Sequence, residues 1–116
     1  MRELVRVFKA LSDETRLRMM NLLSEGEFCV CQIMQALDIS QSRASRNLGI
    51  LREAGLLNDR RDGQWVHCSI NKEGVTDYVP LLELLISSLD QEETIIQDKE
   101  RLKKAMKLGK QGCGEE

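Results

Sequence analysis

The sequence predicts a mainly α-helical chain with one small β-hairpin, arranged as a winged helix-turn-helix whose first and last helices form a dimer interface. Three observations carry this expectation. Short apolar stripes at helical spacing are separated by three- to four-residue turns, as a helix-turn-helix requires. The period then switches to two around the turn dipeptide Asp62-Gly63. From about Asp77 it returns to helical.

A chain of 116 residues accommodates one domain. Its apolar content of 41% supports a core, and aromatics at 3% mean that Leu, Ile, Val and Met must build it. So small a domain buries limited surface alone, which favours a homodimer. No apolar run approaches the ~20 residues of a membrane span. The polar start Met1-Arg2-Glu3-Leu4 does not read as a signal peptide, so a cytoplasmic location without membrane partners is expected. There the four cysteines stay reduced, and close spacing points to metal binding or redox chemistry in place of structural disulfides.

The elements follow in order. Residues 3–11 form a first helix with Leu4, Phe8 and Leu11 inward. Ser12-Asp13-Glu14 caps a second helix carrying Leu17, Met20 and Leu23, which Gly26 ends in a left-handed conformation. A third helix over 28–37 has the stripe Val30, Ile33, Met34 and Leu37. Ser40 caps a fourth over 41–54, with Ala44, Leu48 and Leu51 inward and Gly55 as stop. Residues 57–61 and 64–70 are the strands of the wing. Beyond Asp77, with Pro80 in the first turn, Tyr78, Leu81, Leu82, Leu84, Leu85, Ile86, Leu89, Ile95 and Ile96 make a stripe broader than one small core needs. Part of it is assigned to the dimer interface. Glu100 to Lys110 reads as a charged, solvated helix, giving a domain over 1–108 and a flexible tail over 109–116.

Net charge is −2, yet Arg43, Arg46, Arg52, Arg60 and Arg61 concentrate mid-chain, and distribution matters more than the sum. The fourth helix carries Gln41, Ser42, Arg43, Ser45 and Arg46 on its polar side. In a major groove, Arg pairs with guanine and Gln with adenine, while short serines allow close approach to phosphate. Arg60 and Arg61, read as lying at the wing tip, suit contacts to the minor groove or backbone. Operator double-stranded DNA is the expected partner.

Four segments make the sequence resemble the ArsR/SmtB family of metal-responsive winged-helix repressors, most of all its arsenic-responsive members. They are Ala10 to Arg18, Glu27-Phe28-Cys29-Val30-Cys31, Ser40 to Leu48 and Gly63-Gln64-Trp65-Val66-His67. The likeness is close over residues 3–75 and only in pattern beyond. It implies a homodimer that represses transcription until an inducer binds.

The inducer site is assigned to Cys29 and Cys31, because soft thiolates select soft ions and trivalent arsenic or antimony behaves alike. Such an ion prefers a pyramid of three sulfurs. In a continuous helix, positions i and i+2 lie ~200° apart. The pair would then flank Val30, and one ion would require this turn to unwind. Some relatives carry a third Cys where Met34 stands; Cys113 in the tail is the candidate replacement, while Cys68 is assigned to packing. The family's His-and-carboxylate sites need more than the one histidine, His67, and its cadmium/lead site needs cysteines before the first helix.

Alternatives are a thiol-based redox or sulfur-responsive repressor, or a sensor of another soft metal such as cadmium or lead. Glu25 and Glu27 beside the pair disfavour a reactive thiolate. With no Cys-x-x-Cys, no His/carboxylate cluster and no phosphate-binding glycine loop, an enzyme is not expected, nor a constitutive cofactor.

Overall fold

The computed structural model describes residues 1–74 and 76–108. Six helices and a three-stranded sheet follow one another as α1 (Arg2–Leu11), α2 (Glu14–Leu23), β1 (Phe28–Cys29), α3 (Val30–Leu37), α4 (Gln41–Glu53), β2 (Leu57–Asp62), β3 (Trp65–Ile70), a 3-10 turn (Thr76–Tyr78), α5 (Val79–Ser88) and α6 (Glu93–Leu108). The expected winged helix-turn-helix is present. Its wing strands pair from Leu57↔Ile70 to Asp62↔Trp65, leaving Gly63-Gln64 as the loop. Gly63 has φ 63° while Gln64 does not share a positive φ, the pattern of a two-residue hairpin turn with glycine first. Arg60 and Arg61 therefore stand inside β2 rather than at the tip.

The largest departure from expectation is at the start of the third helix. Phe28 and Cys29 pair antiparallel with Cys68 and His67, so the sheet has the order β1-β3-β2. Helix α3 begins only at Val30, with Cys29 as its N-cap in extended conformation (φ −74°, ψ 158°). The backbone N–H of Cys29 donates to Gln32 Oε1 at 3.1 Å, the returning arm of a capping box. A two-residue strand is fixed by its distant partner, so helical periodicity had no means of revealing it.

The core lies where α1, α2, α3 and α4 meet the sheet, and Met19, Met20, Leu22, Ile33, Leu37, Leu48, Leu51 and Leu56 are almost completely enclosed. Ala44, Leu48 and Leu51 of α4 are buried as expected. In α1 the inward face is Val7, Ala10 and Leu11, whereas Phe8 is half exposed and Leu4 partly so. Asp13 caps α2, accepting from Arg16 N at 3.1 Å. Gly26 takes φ 149°, outside the left-handed helical region, and α2 ends instead on a right-handed Ser24.

The last third is two helices, not one. Pro80 does stand in the first turn of α5, and Leu89 to Glu92 then turn the chain without a glycine or proline to mark the break. Helix α6 is not a solvated extension. It packs along α3, burying Ile95, Asp98, Leu102 and Ala105.

Candidate functional site

Helix α4 is seated by polar contacts on both flanks. Ser40 Oγ accepts from Arg43 N at 3.2 Å and caps it. Behind it, Arg16 of α2 donates to Ala10 O at 2.6 Å and to Asn47 Oδ1 at 2.9 Å, and Asn47 Nδ2 donates to Arg43 O at 2.9 Å. The guanidinium of Arg43 itself donates to Thr15 Oγ1 at 2.7 Å. At its far end Arg52 pairs with Asp59 of β2 at 2.8 Å, joining α4 to the wing.

This seating turns Gln41, Ser42, Arg43, Ser45 and Arg46 to solvent. A groove of about 410 Å³ runs between α4 and the hairpin, and Gln41 and Ser45 line it together with Gln64 and Val66. The helix face and the wing loop thus border one groove of mixed character, whose floor includes Val30 and Leu48. Arg61 is exposed on β2. Arg60 is exposed too, but Nε and Nη2 hold the carboxylate of Glu27 at 2.7–3.1 Å. The guanidinium holds the Glu27 carboxyl below the usual carboxylate range.

Cys29 and Cys31 are both buried, and their sulfurs lie 2.9 Å apart. The expectation that they flank Val30 from opposite sides is overturned. Because Cys29 sits outside the helix with extended dihedrals, its side chain swings back over the first turn to meet Cys31. No unwinding is needed to bring the two together. Two sulfurs bound to one ion at about 2.3 Å in tetrahedral geometry stand about 3.8 Å apart, so the pair has to open by only about 0.9 Å from the 2.9 Å seen here. Met34 is half-buried against the core. Cys113 lies outside the described residues.

Cys68 belongs to the core, fully enclosed on β3. Burial and the nearby carboxylate of Asp59 push its thiol up to about 12, so it stays protonated. His67, directly across from Cys29, is 9% exposed, and its buried Nε2 has no hydrogen-bond partner; Asp62 Oδ2 is 3.9 Å away. Among the described residues no three His, Cys, Asp or Glu side chains are gathered to hold a metal ion.

A family profile described as "Bacterial regulatory protein, arsR family" matches residues 13–59, from the N-cap of α2 into the wing. The chain is 54% identical over 68 residues to the arsenic resistance transcriptional regulator ArsR1 of Pseudomonas putida, covering 58% of this chain and 53% of the relative. It is 58% identical over 64 residues to the arsenical resistance operon repressor of Escherichia coli, covering 54% and 55%. These matches span about half the length of either relative. The homodimeric winged helix-turn-helix DNA-binding domain Mb0332 of Mycobacterium bovis, a possible ArsR-family regulator, superposes with a TM-score of 0.65 at 32% identity, covering 78% of this chain and 82% of that one. The chain belongs to the ArsR family. That family consists of regulators that bind DNA and are not enzymes.

Within this ArsR-family fold, sequence reasoning missed Arg16, Asn47 and Thr15, which hold the exposed face of α4 in place. It missed Glu27 as the partner of Arg60. Neither pair is near in sequence, so only the fold brings them together. The one signal was Asn47 itself, a polar residue on the same helical face as Ala44 and Leu51.

Proposed function

We propose that the chain is a homodimeric repressor that occupies an operator through α4 and the wing, and is released when arsenite or antimonite binds Cys29 and Cys31. One observation carries the reading: two buried sulfurs converge at the junction between β1 and α3. That junction reaches both DNA-facing parts. Through Cys29↔His67 it is paired to wing strand β3, and through α3 it leads to Ser40 and α4. The names of the arsenic-resistance relatives support the choice of ion.

Binding exchanges two As–O bonds of arsenous acid for two As–S bonds. In the reduced protein each thiol proton leaves with a hydroxide as water, and no electron is transferred. The third position keeps a hydroxide or takes a third thiol, and Cys113 is assigned to it. The ion wedges the N-cap of α3 away from its first turn, shifting β1 against β3 and α3 against α4. Repression and ligation thereby compete for the backbone of one segment. Val5 and Phe8 of α1 and Leu84 of α5, 45–68% exposed, supply the apolar face that a second copy covers. A cytoplasmic setting follows from the reduced thiols this chemistry needs; no helix among the described residues is long and apolar enough to cross a membrane.

The test is operator release from reduced wild type and Cys29→Ser by arsenite, antimonite, cadmium and hydrogen peroxide. Release by arsenite or antimonite, abolished in Cys29→Ser with DNA affinity retained, is expected. Release by peroxide alone would replace this reading with a redox switch, which the short sulfur separation favours as the second candidate. Release by cadmium alone would make the chain a sensor of a soft divalent metal. X-ray absorption of the arsenite complex, compared with Cys113→Ser, decides the third donor: a fall from three sulfurs to two assigns it to the tail.

A further inference from the structure

The last carbonyls of any helix lack partners inside it. In α3 two of them are taken by arginines from other elements. Arg18 of α2 donates from Nη2 to Leu37 O at 2.8 Å, and Arg101 of α6 donates from Nε to Ala36 O at 2.7 Å. Both guanidiniums also converge on Asp98 of α6. Arg18 reaches its carboxylate at 2.8 and 2.9 Å, Arg101 at 2.8 Å. Asp98 is 1% exposed, so one buried carboxylate balances two cations, of which Arg18 is mostly covered and Arg101 keeps about a third of its side chain in solvent. The cations are also placed favourably at the negative end of the α3 dipole.

Immediately after the clamped carbonyls comes Asp38, held at φ 56° and ψ 53°, a left-handed conformation unusual for a residue with a side chain. Ile39 and the N-cap Ser40 follow, and then α4. The geometry points to Asp98 as a positioning residue for the recognition helix, setting through Arg18 and Arg101 where α3 ends and therefore where the turn delivers α4. This rests on the reading that α4 contacts DNA and is independent of the inducer. It makes α6 docking a condition of operator binding. Without the carboxylate, the two guanidiniums repel one another, and the fork that fixes their orientation toward Ala36 O and Leu37 O is gone.

The experiment uses full-length protein and a DNA duplex enriched by the wild type from a randomised pool. Asp98→Asn is expected to weaken binding to that duplex about tenfold at a temperature where circular dichroism finds it fully folded. Binding to an unselected duplex, driven by phosphate charge, changes much less. Arg101→Lys keeps the charge beside Asp98 but loses the planar group that spans carboxylate and carbonyl, and is expected to give the same selective loss in smaller measure. Amide hydrogen exchange at Ile39 to Ser42 should quicken in both. A fall in melting temperature with unchanged affinity for the enriched duplex overturns the proposal, since Asp98 would then only stabilise. If Asp98→Asn does not fold, Arg101→Lys decides on the same two criteria. Gln41→Ala with Arg46→Ala serves as the control: if this pair also leaves affinity intact, the reading of α4 has failed, and the proposal with it.

Discussion

Replacing Asn47 by Ala removes a side chain that is 3% exposed and serves two elements at once. Its Oδ1 accepts from the Arg16 guanidinium at 2.9 Å, and its Nδ2 donates to Arg43 O at 2.9 Å. A bond to a charged partner contributes about 1.5–3 kcal/mol and a neutral one about 0.5–1.5 kcal/mol. Together the loss is about 2–4.5 kcal/mol, and Arg16 keeps its bond to Ala10 O, which places the outcome toward the lower end. For a domain of this size that corresponds to a melting temperature lower by about 8–18 °C. Urea denaturation should move the midpoint without changing the slope. Protomer concentration must be held fixed, because a dimer couples association to unfolding. The Arg16→Ala, Asn47→Ala double-mutant cycle should return a coupling above about 0.5 kcal/mol. A loss below about 1 kcal/mol, or an additive cycle, would refute the claim that Asn47 seats α4 through Arg16.

Two further outcomes are expected. The Cys68 thiol titrates near 9.0 when unfolded and at about 12 when folded, so its contribution is complete below pH 9 and disappears as pH rises toward 12. Wild type should therefore lose stability between pH 9 and 10.5 by up to about 1.4 kcal/mol per pH unit more than Cys68→Ala, measured by urea midpoints; equal slopes would mean the thiol titrates normally in the fold. For DNA affinity, Arg46→Ala should reduce the steepness of the log K against log salt line by about one counterion. Arg60→Ala should reduce it by less, because Glu27 already neutralises that guanidinium. Equal effects would return Arg60 to the DNA surface.

Much of this molecule was legible in its sequence because the information was local. Ser40 as N-cap, Ala44, Leu48 and Leu51 as a buried stripe, and the hairpin around Gly63 each follow from a few neighbouring residues, and so does the exposed face from Gln41 to Arg46. The adjacency of Cys29 and Cys31 was likewise plain. Whether they converge was not, since it depends on where α3 begins, and that is set by pairing of Phe28 and Cys29 with residues nearly forty positions away. The same limit explains α6. Its charged residues read as solvated because the sequence cannot indicate that Asp98 meets Arg18, eighty positions earlier, and that Arg101 caps α3. Arg60 looked like a free cation for the same reason, until the sheet brought Glu27 beside it. Capping, periodicity and turn chemistry act within a few residues, so the sequence alone determined most of the helices, the hairpin and the exposed polar face of α4. Ion pairs and strand registers act across the fold, so tertiary structure alone decided which cations are spent internally and how the two sulfurs come together.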